Sequence, residues 1–484
     1  MRILVDTNVL IPLEDTKELM AGASAELVRL ANRNHCTLIV HPASLEDVER
    51  DPDTSRKRIV KSKIQKYNIL EQAPVPDINF LVRVGGTSSS PNDKVDNELL
   101  FAVERNCVNF LVTEDKGIHR KAARLGLQSR VYYLEQCVSA LRALYEPTDH
   151  PLPNLSLVPL HNLPLVDPIF DSLRTDYPEF DEWFSQKARE GRKAWVYWLA
   201  LERLGAVCIF KTEESPLPGT LEGKTLKLST FKVGANATGQ RIGELLLKKA
   251  FQYCLDNRYR HLYLTVLPDK EHLIAFLEEF GFQEVTQRDG ERWFAKSFLE
   301  PTPRPAELDP VRYNALYYPH FDCSPSVRKF IVPIQPRWHK VLFPECEKQL
   351  TFFPPQLAVS NAMRMAYLCN SQSNRVRRGD LVLFYRSHDL KGVTTLGIVE
   401  GTLRSRIPEE IAATVGKRTL FSFKDIQALC HKDTLAIQFR QILHLSRPVQ
   451  FSRLSELGVV RNHVESITQL SDEGFQLLMR EVQA

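Results

Sequence analysis

Two short apolar runs end in the same chemistry. Ile3-Leu4-Val5 gives way to Asp6-Thr7-Asn8, and Phe110-Leu111-Val112 gives way to Thr113-Glu114-Asp115. Apolar runs without polar alternation predict strands buried on both faces, hence a parallel sheet covered by helices. Such sheets offer ligand sites at the carboxyl ends of their strands. Two carboxylates brought to one edge repel unless a cation lies between them, and hard oxygen donors suit Mg²⁺ or Mn²⁺. Two further acids fit the same edge. After the strand-like Cys36–Val40 run comes His41-Pro42-Ala43-Ser44-Leu45-Glu46-Asp47, where Pro42 near a helix start puts Glu46 and Asp47 in its early turns, either of them a candidate ligand. Asp96 stands at the front of the amphipathic Val95–Ala102 segment that leads into the second strand. Taken singly, each acid also reads as a helix cap or a strand-end turn residue.

In this order the motifs of residues 1–145 resemble PIN-domain nucleases, which carry Asp-Thr-Asn after the first strand, an acid on an early helix and Thr-x-Asp after a later strand. The resemblance implies a metal-dependent nuclease, with Asp6, Asp47, Asp96 and Asp115 as catalytic, metal-binding acids, Asn8 and Thr113 in support, and Glu114 as an outer acid. Divalent ions in such a site hold the scissile phosphate, lower the pKa of the attacking water and neutralise the leaving oxygen, so no side-chain nucleophile is needed. The helix-like stretch Arg56–Lys66 sets cations on one broad face and Ile59, Val60 and Ile64 on the other. Its cations could track a phosphate backbone or simply face solvent.

The chain must hold more than this one domain. Its 484 residues predict about three cores. Hydrophobic content of 43% and charged content of 25% are ordinary for globular chains, and a net charge of +4 is too balanced to name a partner. No apolar stretch approaches membrane-spanning length, and Met1-Arg2-Ile3 begins a strand instead of a signal peptide. The nine cysteines are scattered without a C-x-x-C pair, which argues against structural zinc and for reduced thiols in a cytoplasmic protein. Prolines cluster between Pro147 and Pro168 and again between Pro301 and Pro325, too dense for helix or central strand. These seams predict a multidomain α/β and α+β chain with domains at 1–145, 165–300 and 327–484.

In the middle segment, Ala194–Leu199 and Gly205–Lys211 read as a hairpin and Leu226–Val233 as a third strand. A glycine-containing turn, Gly234–Gly243, then opens a helix at Glu244–Phe251. Strand, turn and helix start aim backbone N–H groups at an anion. With the later His261–Val266 strand and the Ile274–Phe282 helix and Gly-Phe turn, the segment resembles the GNAT acetyltransferases and their mixed sheet. The resemblance implies acetyl-CoA, with the Val233 backbone on the pantetheine arm and amides of Gly239, Arg241, Ile242, Gly243 and Glu244 on the pyrophosphate. Thr238 replaces the usual Arg or Gln, and Arg241 a usual glycine, where its guanidinium could pair with phosphate. Leu277 stands where many members have the tyrosine that protonates the departing thiolate, and His272 where asparagine is common. Acetyl transfer needs little beyond positioning and a route for one proton, for which Tyr263, Asp269 and His272 are candidates.

The last segment offers Phe330–Trp338, Arg375–Arg386 and Thr395–Gly401, in which Arg-Gly-Asp turns into an apolar strand. This predicts a small β-barrel and resembles ASCH and other PUA-like domains, implying recognition of RNA or a modified base. Arg337, Trp338, His339, Lys340, Arg375, Arg377, Arg378, Tyr385 and Arg386 interleave cations and aromatics as single-stranded nucleic acid requires. The combined expectation is a metal-dependent (endo)ribonuclease with an acetyl-CoA-binding modifier or sensor and an RNA-selecting barrel, in a toxin-like or defence role. Its alternatives are an N-acetyltransferase of a protein or aminoacyl amine on an inactive PIN scaffold, and a non-enzymatic RNA-binding adaptor. No membrane is expected as partner.

Overall fold

Ile3 and Val5 enter one apolar cluster and Leu4 another, so β1 (Arg2–Val5) is covered on both faces. That is why its run lacks polar alternation. Around it lie α1 (Thr7–Glu14), α2 (Ala21–Arg33), β2 (Thr37–Val40), α3 (Pro42–Glu49), β3 (Asn68–Ile69), α4 (Ile78–Val84), α5 (Pro91–Glu104), β4 (Phe110–Val112), α6 (Lys116–Arg124), β5 (Val131–Tyr132) and α7 (Leu134–Tyr145). The sheet runs β3-β2-β1-β4-β5 with every neighbour parallel, as the apolar runs predict. Ile3, Val5, Phe110 and Val112 pack with Leu27, Leu30 and Leu141 on one face. Leu4 and Leu111 pack with Phe80, Leu99 and Ile118 on the other. Because Val5 pairs with Val112, Asp6 and Thr113 leave the sheet side by side.

This computed structural model describes residues 1–14, 21–49, 67–86, 90–146, 155–200, 203–213, 221–234, 241–302, 308–348, 362–416 and 421–483, with the single positions 57, 64, 237, 305 and 418. The basic stretch Arg56–Lys66 therefore lies, apart from Lys57 and Ile64, outside the described residues. By its internal packing the chain forms two units. The first is Met1–Asp149 with Leu368–Asn370 and Leu403–Ala436, and the second is His150–Tyr367 with Ser371–Thr402 and Ile437–Ala484.

The second unit holds a seven-stranded sheet built from β6 (Ser156–Pro159), β7 (Lys193–Ala200), β8 (Arg203–Glu213), β9 (Thr225–Val233), β10 (His261–Val266), β11 (Gln283–Arg288) and β12 (Glu291–Ser297). Its order is β11-β12-β10-β9-β8-β7-β6, with β9 and β10 parallel and the other neighbours antiparallel. The hairpin read from sequence is β7–β8. Helices α8 (Asp171–Asp176), α9 (Phe180–Arg189), α10 (Ile242–Asp256) and α11 (Glu271–Glu279) accompany the sheet. Trp195 stacks on Phe210 at 3.9 Å in its core.

After α12 (Pro310–Tyr317) come β13 (Lys329–Ile334), α13 (Pro336–Leu342), α14 (Pro344–Lys348), β14 (Arg364–Cys369), β15 (Leu381–Arg386), β16 (Gly392–Ser405), α15 (Pro408–Val415), α16 (Phe423–Cys430), β17 (Thr434–Gln450), α17 (Phe451–Glu456), β18 (Thr468–Leu470) and α18 (Asp472–Gln483). The strands form a mixed six-stranded sheet, β14-β17-β16-β15-β13-β18. Its end strands β14 and β18 are not joined, so among the described residues the sheet is open where the sequence predicts a closed barrel. The Arg-Gly-Asp turn is structural. Gly379 takes φ +90°, and Asp380 accepts the Arg377 N–H at 2.7 Å and a two-pronged pair from Arg328 at 2.7 and 3.0 Å. Helices α15 and α16 lie in the Leu403–Ala436 segment of the first unit, where Ala413 joins the cluster of Ile3 and Val5. Among the described residues no helix is long and apolar enough to cross a membrane. No disulfide joins the nine cysteines.

Candidate functional site

Parallel pairing of β1 and β4 ties the two Asp-containing motifs into one hydrogen-bond web. The Thr113 hydroxyl donates to Asp6 Oδ2 at 2.6 Å, and the Thr7 N–H to Asp6 Oδ1 at 2.7 Å. Asn8 spans the gap, its Nδ2 donating to Thr113 Oγ1 at 3.2 Å and its Oδ1 accepting the Glu114 N–H at 3.1 Å. Burial outweighs these bonds and, with the nearby charge of Asp96, holds the Asp6 carboxyl up at about 6. Burial also raises Asp96, although Lys121 Nζ sits 3.0 Å from its Oδ2. The same ammonium pairs with Asp93.

Asp6, Asp96 and Asp115 of the expected four acids lie among residues whose side chains are described, and Asp47 does not. Asp115 is within electrostatic reach of Asp96, yet it accepts the Ile118 N–H at 3.0 Å and so caps α6. Glu114 accepts the Leu134 N–H at 2.8 Å, Glu46 is exposed, and the Asp47 side chain lies outside the described residues. Among the described residues no group of three His, Cys, Asp or Glu could hold a metal ion. The donors have the right chemistry for Mg²⁺ or Mn²⁺, but Lys121 supplies a positive charge at Asp96 instead.

The central segment carries a different opening. β9 and β10 pair only from Thr225–Lys227 to His261–Tyr263, and then β9 continues to Val233 and β10 to Val266. Beyond Lys227 and Tyr263 the strands part, leaving a wedge walled by backbone N–H and C=O groups that a ligand amide could meet. Past the end of β9, α10 begins, and the N–H groups of Ile242, Gly243 and Glu244 lie in its first turn. A Cβ on Gly243 would come 3.6 Å from Val233 Cγ2 and 3.5 Å from Phe276 Cζ, so the helix head packs directly beside the strand end. Gly239 and Thr238 lie outside the described residues.

Arg241 stands just before α10 with φ +62°, the left-handed backbone that explains a usual glycine there. Its guanidinium is already engaged, reaching Glu244 Oε2 at 3.1 Å and the Arg364 carbonyl oxygen. Glu244 Oε1 in turn accepts the Arg364 N–H at 2.6 Å. Arg364 Nε meets Glu400 at 2.9 Å, and Arg440 Nε meets the other oxygen of Glu400 at 3.1 Å.

Leu277 is fully buried and offers no proton. Tyr263 is buried as well, stacked on Trp293 at 5.2 Å with the rings 6° from parallel, so it too leaves the list of proton routes. Asp269 pairs with Lys270 at 3.2 Å, and His272 is exposed. Sequence reasoning missed a group at the mouth of the wedge. Lys232 near the end of β9 reaches Ser172 at 2.7 Å, and burial pulls its pKa down. Lys270 after β10 meets Asp176 at 2.9 Å, and Tyr177 donates to Glu291 at 2.5 Å. These residues are up to 114 positions apart, and no local spacing signals them.

In the last segment the interleaved residues separate. Arg337, Lys340, Arg375, Arg377 and Arg378 are exposed, with Arg337 4.7 Å from the Trp338 ring centroid. Contrary to the expected stacking surface, Tyr385 and Arg386 are buried because β15 is covered on both faces, and His339 is buried on α13 with its Nε2 2.8 Å from the Thr394 hydroxyl.

Comparison with known proteins bears on the central segment first. Residues 157–282 match the Acetyltransferase (GNAT) family. Among solved structures, the chain is similar to an ASCH protein from Zymomonas mobilis at 13% identity, TM-score 0.25, covering 31% of this chain and 94% of that one. It is also similar to a GNAT family acetyltransferase from Elizabethkingia anophelis with acetyl-CoA bound, at 15% identity, TM-score 0.22, covering 30% and 98%. A ribosomal-protein-alanine N-acetyltransferase from Brucella melitensis matches at 16% identity, TM-score 0.23, covering 30% and 98%. No curated protein matches the chain. The chain carries a GNAT acetyltransferase domain at residues 157–282.

Proposed function

We propose that the chain is an acetyl-CoA-dependent N-acetyltransferase whose donor site is the β9–β10 wedge and the head of α10. The carrying observation is the three-pair register of β9 with β10 followed by their parting beside the first turn of α10. Val233 would hold the amide-bearing arm through its backbone. Ile242, Gly243 and Glu244 would hold the pyrophosphate through N–H groups, where the helix end contributes roughly half a positive charge. When bound, acetyl-CoA supplies the activated acetyl group. Tyr177, Lys232 and Lys270 stand in the acceptor mouth, and we assign the proton route to this cluster. The acceptor is an amine of a protein or aminoacyl group. Thiol release on mixing the full chain with acetyl-CoA and amine peptides tests the reading. Absence of both thiol release and acetyl-CoA binding would overturn it.

A second reading, that residues 1–145 cut nucleic acid and residues 327–484 hold it, is favoured by one observation. Asp6 is a buried carboxylate at a strand end, kept protonated to about 6 and facing a second acid. Such a group is stabilised by an added cation. Exposed Arg375, Arg377 and Arg378 would meet the phosphates of an RNA. Metal-dependent cleavage of RNA or single-stranded DNA, absent from Asp96→Asn, would support this reading. No cleavage with Mn²⁺ would leave the transferase alone.

A further inference from the structure

A cavity of about 210 Å³, lined by none of the wedge residues, opens in the second unit, with Cys346 and Thr394 on its wall beside Arg386, Leu445 and Arg447. Cys346 Sγ lies 3.4 Å from His444 Nδ1, and the Thr395 hydroxyl lies 2.9 Å from the same nitrogen. On the far side of the ring, His444 Nε2 stands 3.7 Å from Glu345 Oε2. Lys248 Nζ holds the other Glu345 oxygen at 2.9 Å. Burial keeps the His444 imidazole neutral, while Lys248 and His444 overcome the effect of burial on Glu345 and keep it ionised. A carboxylate facing Nε2 favours the proton there, which leaves Nδ1 as an acceptor shared by the Thr395 hydroxyl and the thiol. Carboxylate, imidazole and thiol thus lie in the order that activates a sulfur nucleophile.

We propose that Cys346 is an acyl-accepting nucleophile, with His444 as its base and Glu345 as a positioning residue, and that the cavity takes a small ester or thioester. The volume suits a small ligand. Leu445 offers apolar contact for the acyl chain, and Arg447 stands exposed at the rim. Sγ bonds to the carbonyl carbon as its proton passes to His444 Nδ1. Collapse of the tetrahedral adduct breaks the bond to the leaving oxygen or sulfur, which takes that proton. Water then attacks the thioester, giving a proton to His444. The carbon–sulfur bond breaks, the thiol regains its proton, and a carboxylic acid departs.

The test uses p-nitrophenyl acetate on the full chain, which contains no CoA and so reads this site apart from the transferase reading. Expected are a burst of nitrophenolate and an acetyl group on the Cys346 peptide by mass spectrometry. His444→Gln should slow that labelling at least tenfold, and Glu345→Asp should retain more of the rate than Glu345→Gln. Labelling of Cys346 no faster than that of exposed Cys323, or unchanged in His444→Gln, would overturn the proposal. Because the wild-type adduct is itself a readout, a variant that fails to fold does not decide the matter.

Discussion

Replacing Glu400 with Ala tests whether the buried ionic network holds the helix head in place. Glu400 is the shared anion of Arg364 at 2.9 Å and Arg440 at 3.1 Å, and all three side chains are at most 14% exposed. Burial works against the Arg364 charge, yet Glu400, Glu279 and Glu244 outweigh it and raise its pKa. In Glu400→Ala, Arg364 keeps Glu279, itself 44% exposed, at 3.0 Å, and Arg440 keeps the Glu279 carbonyl at 3.1 Å. Removing one member of a buried ionic set costs about 3–5 kcal/mol, since the partners remain buried with less of their charge compensated. Replacing the set together, Arg364→Met with Glu400→Leu and Arg440→Met, should cost far less, because apolar groups of similar volume need no partner. Urea unfolding followed by tryptophan fluorescence isolates the relevant unit, as Trp183, Trp195, Trp198, Trp293 and Trp338 all lie in the second one. A loss under about 1 kcal/mol for Glu400→Ala would refute the reasoning, being the size expected of an exposed pair. So would a triple variant less stable than the single one.

The Asp6 carboxyl has an ordinary pKa of 3.8 and is held at about 6 in the fold, so the folded state binds more protons between those values. Stability should therefore fall as pH rises through that window, by up to roughly 3 kcal/mol. Asp6→Asn should remove the fall while abolishing any cleavage, and amide exchange in β1 and β4 across pH would show it; a wild-type chain that gains protection with rising pH would contradict this. On the transferase reading, Lys232→Met should lower turnover by about a hundredfold or more, whereas Tyr263→Phe, altering a stacked and buried ring, should leave it nearly unchanged; thiol-release kinetics distinguish the two. On the nucleic-acid reading, Arg375→Ala with Arg377→Ala should weaken RNA binding alike for all sequences and reduce its salt slope by about 1–2, as measured by titration at several ionic strengths.

The sheet of the first unit was legible because Ile3-Leu4-Val5 and Phe110-Leu111-Val112 need cover on both faces, and parallel order then follows. The same signal was present in Leu381-Val382-Leu383-Phe384-Tyr385, whose uninterrupted apolar run marks a strand buried on both sides. Read instead as one wall of a barrel, it left Tyr385 and Arg386 facing solvent, which they do not. The placement of the β9–α10 junction was legible from glycine spacing, but the occupation of Arg241 was not. Its partner Arg364 lies 123 residues away and contributes a backbone carbonyl, which has no sequence signature. Lys121 against Asp96 and His444 against Cys346 are hidden for the same reason: the pairs form across 25 and 98 residues, through packing that no local period encodes.

Amide hydrogen exchange of the full chain with and without acetyl-CoA addresses the donor site most directly. The account predicts slowed exchange confined to the end of β9, Phe231–Val233, and the first turn of α10, Ile242–Glu244. Unchanged exchange in both stretches at saturating acetyl-CoA, or protection elsewhere alone, would contradict it.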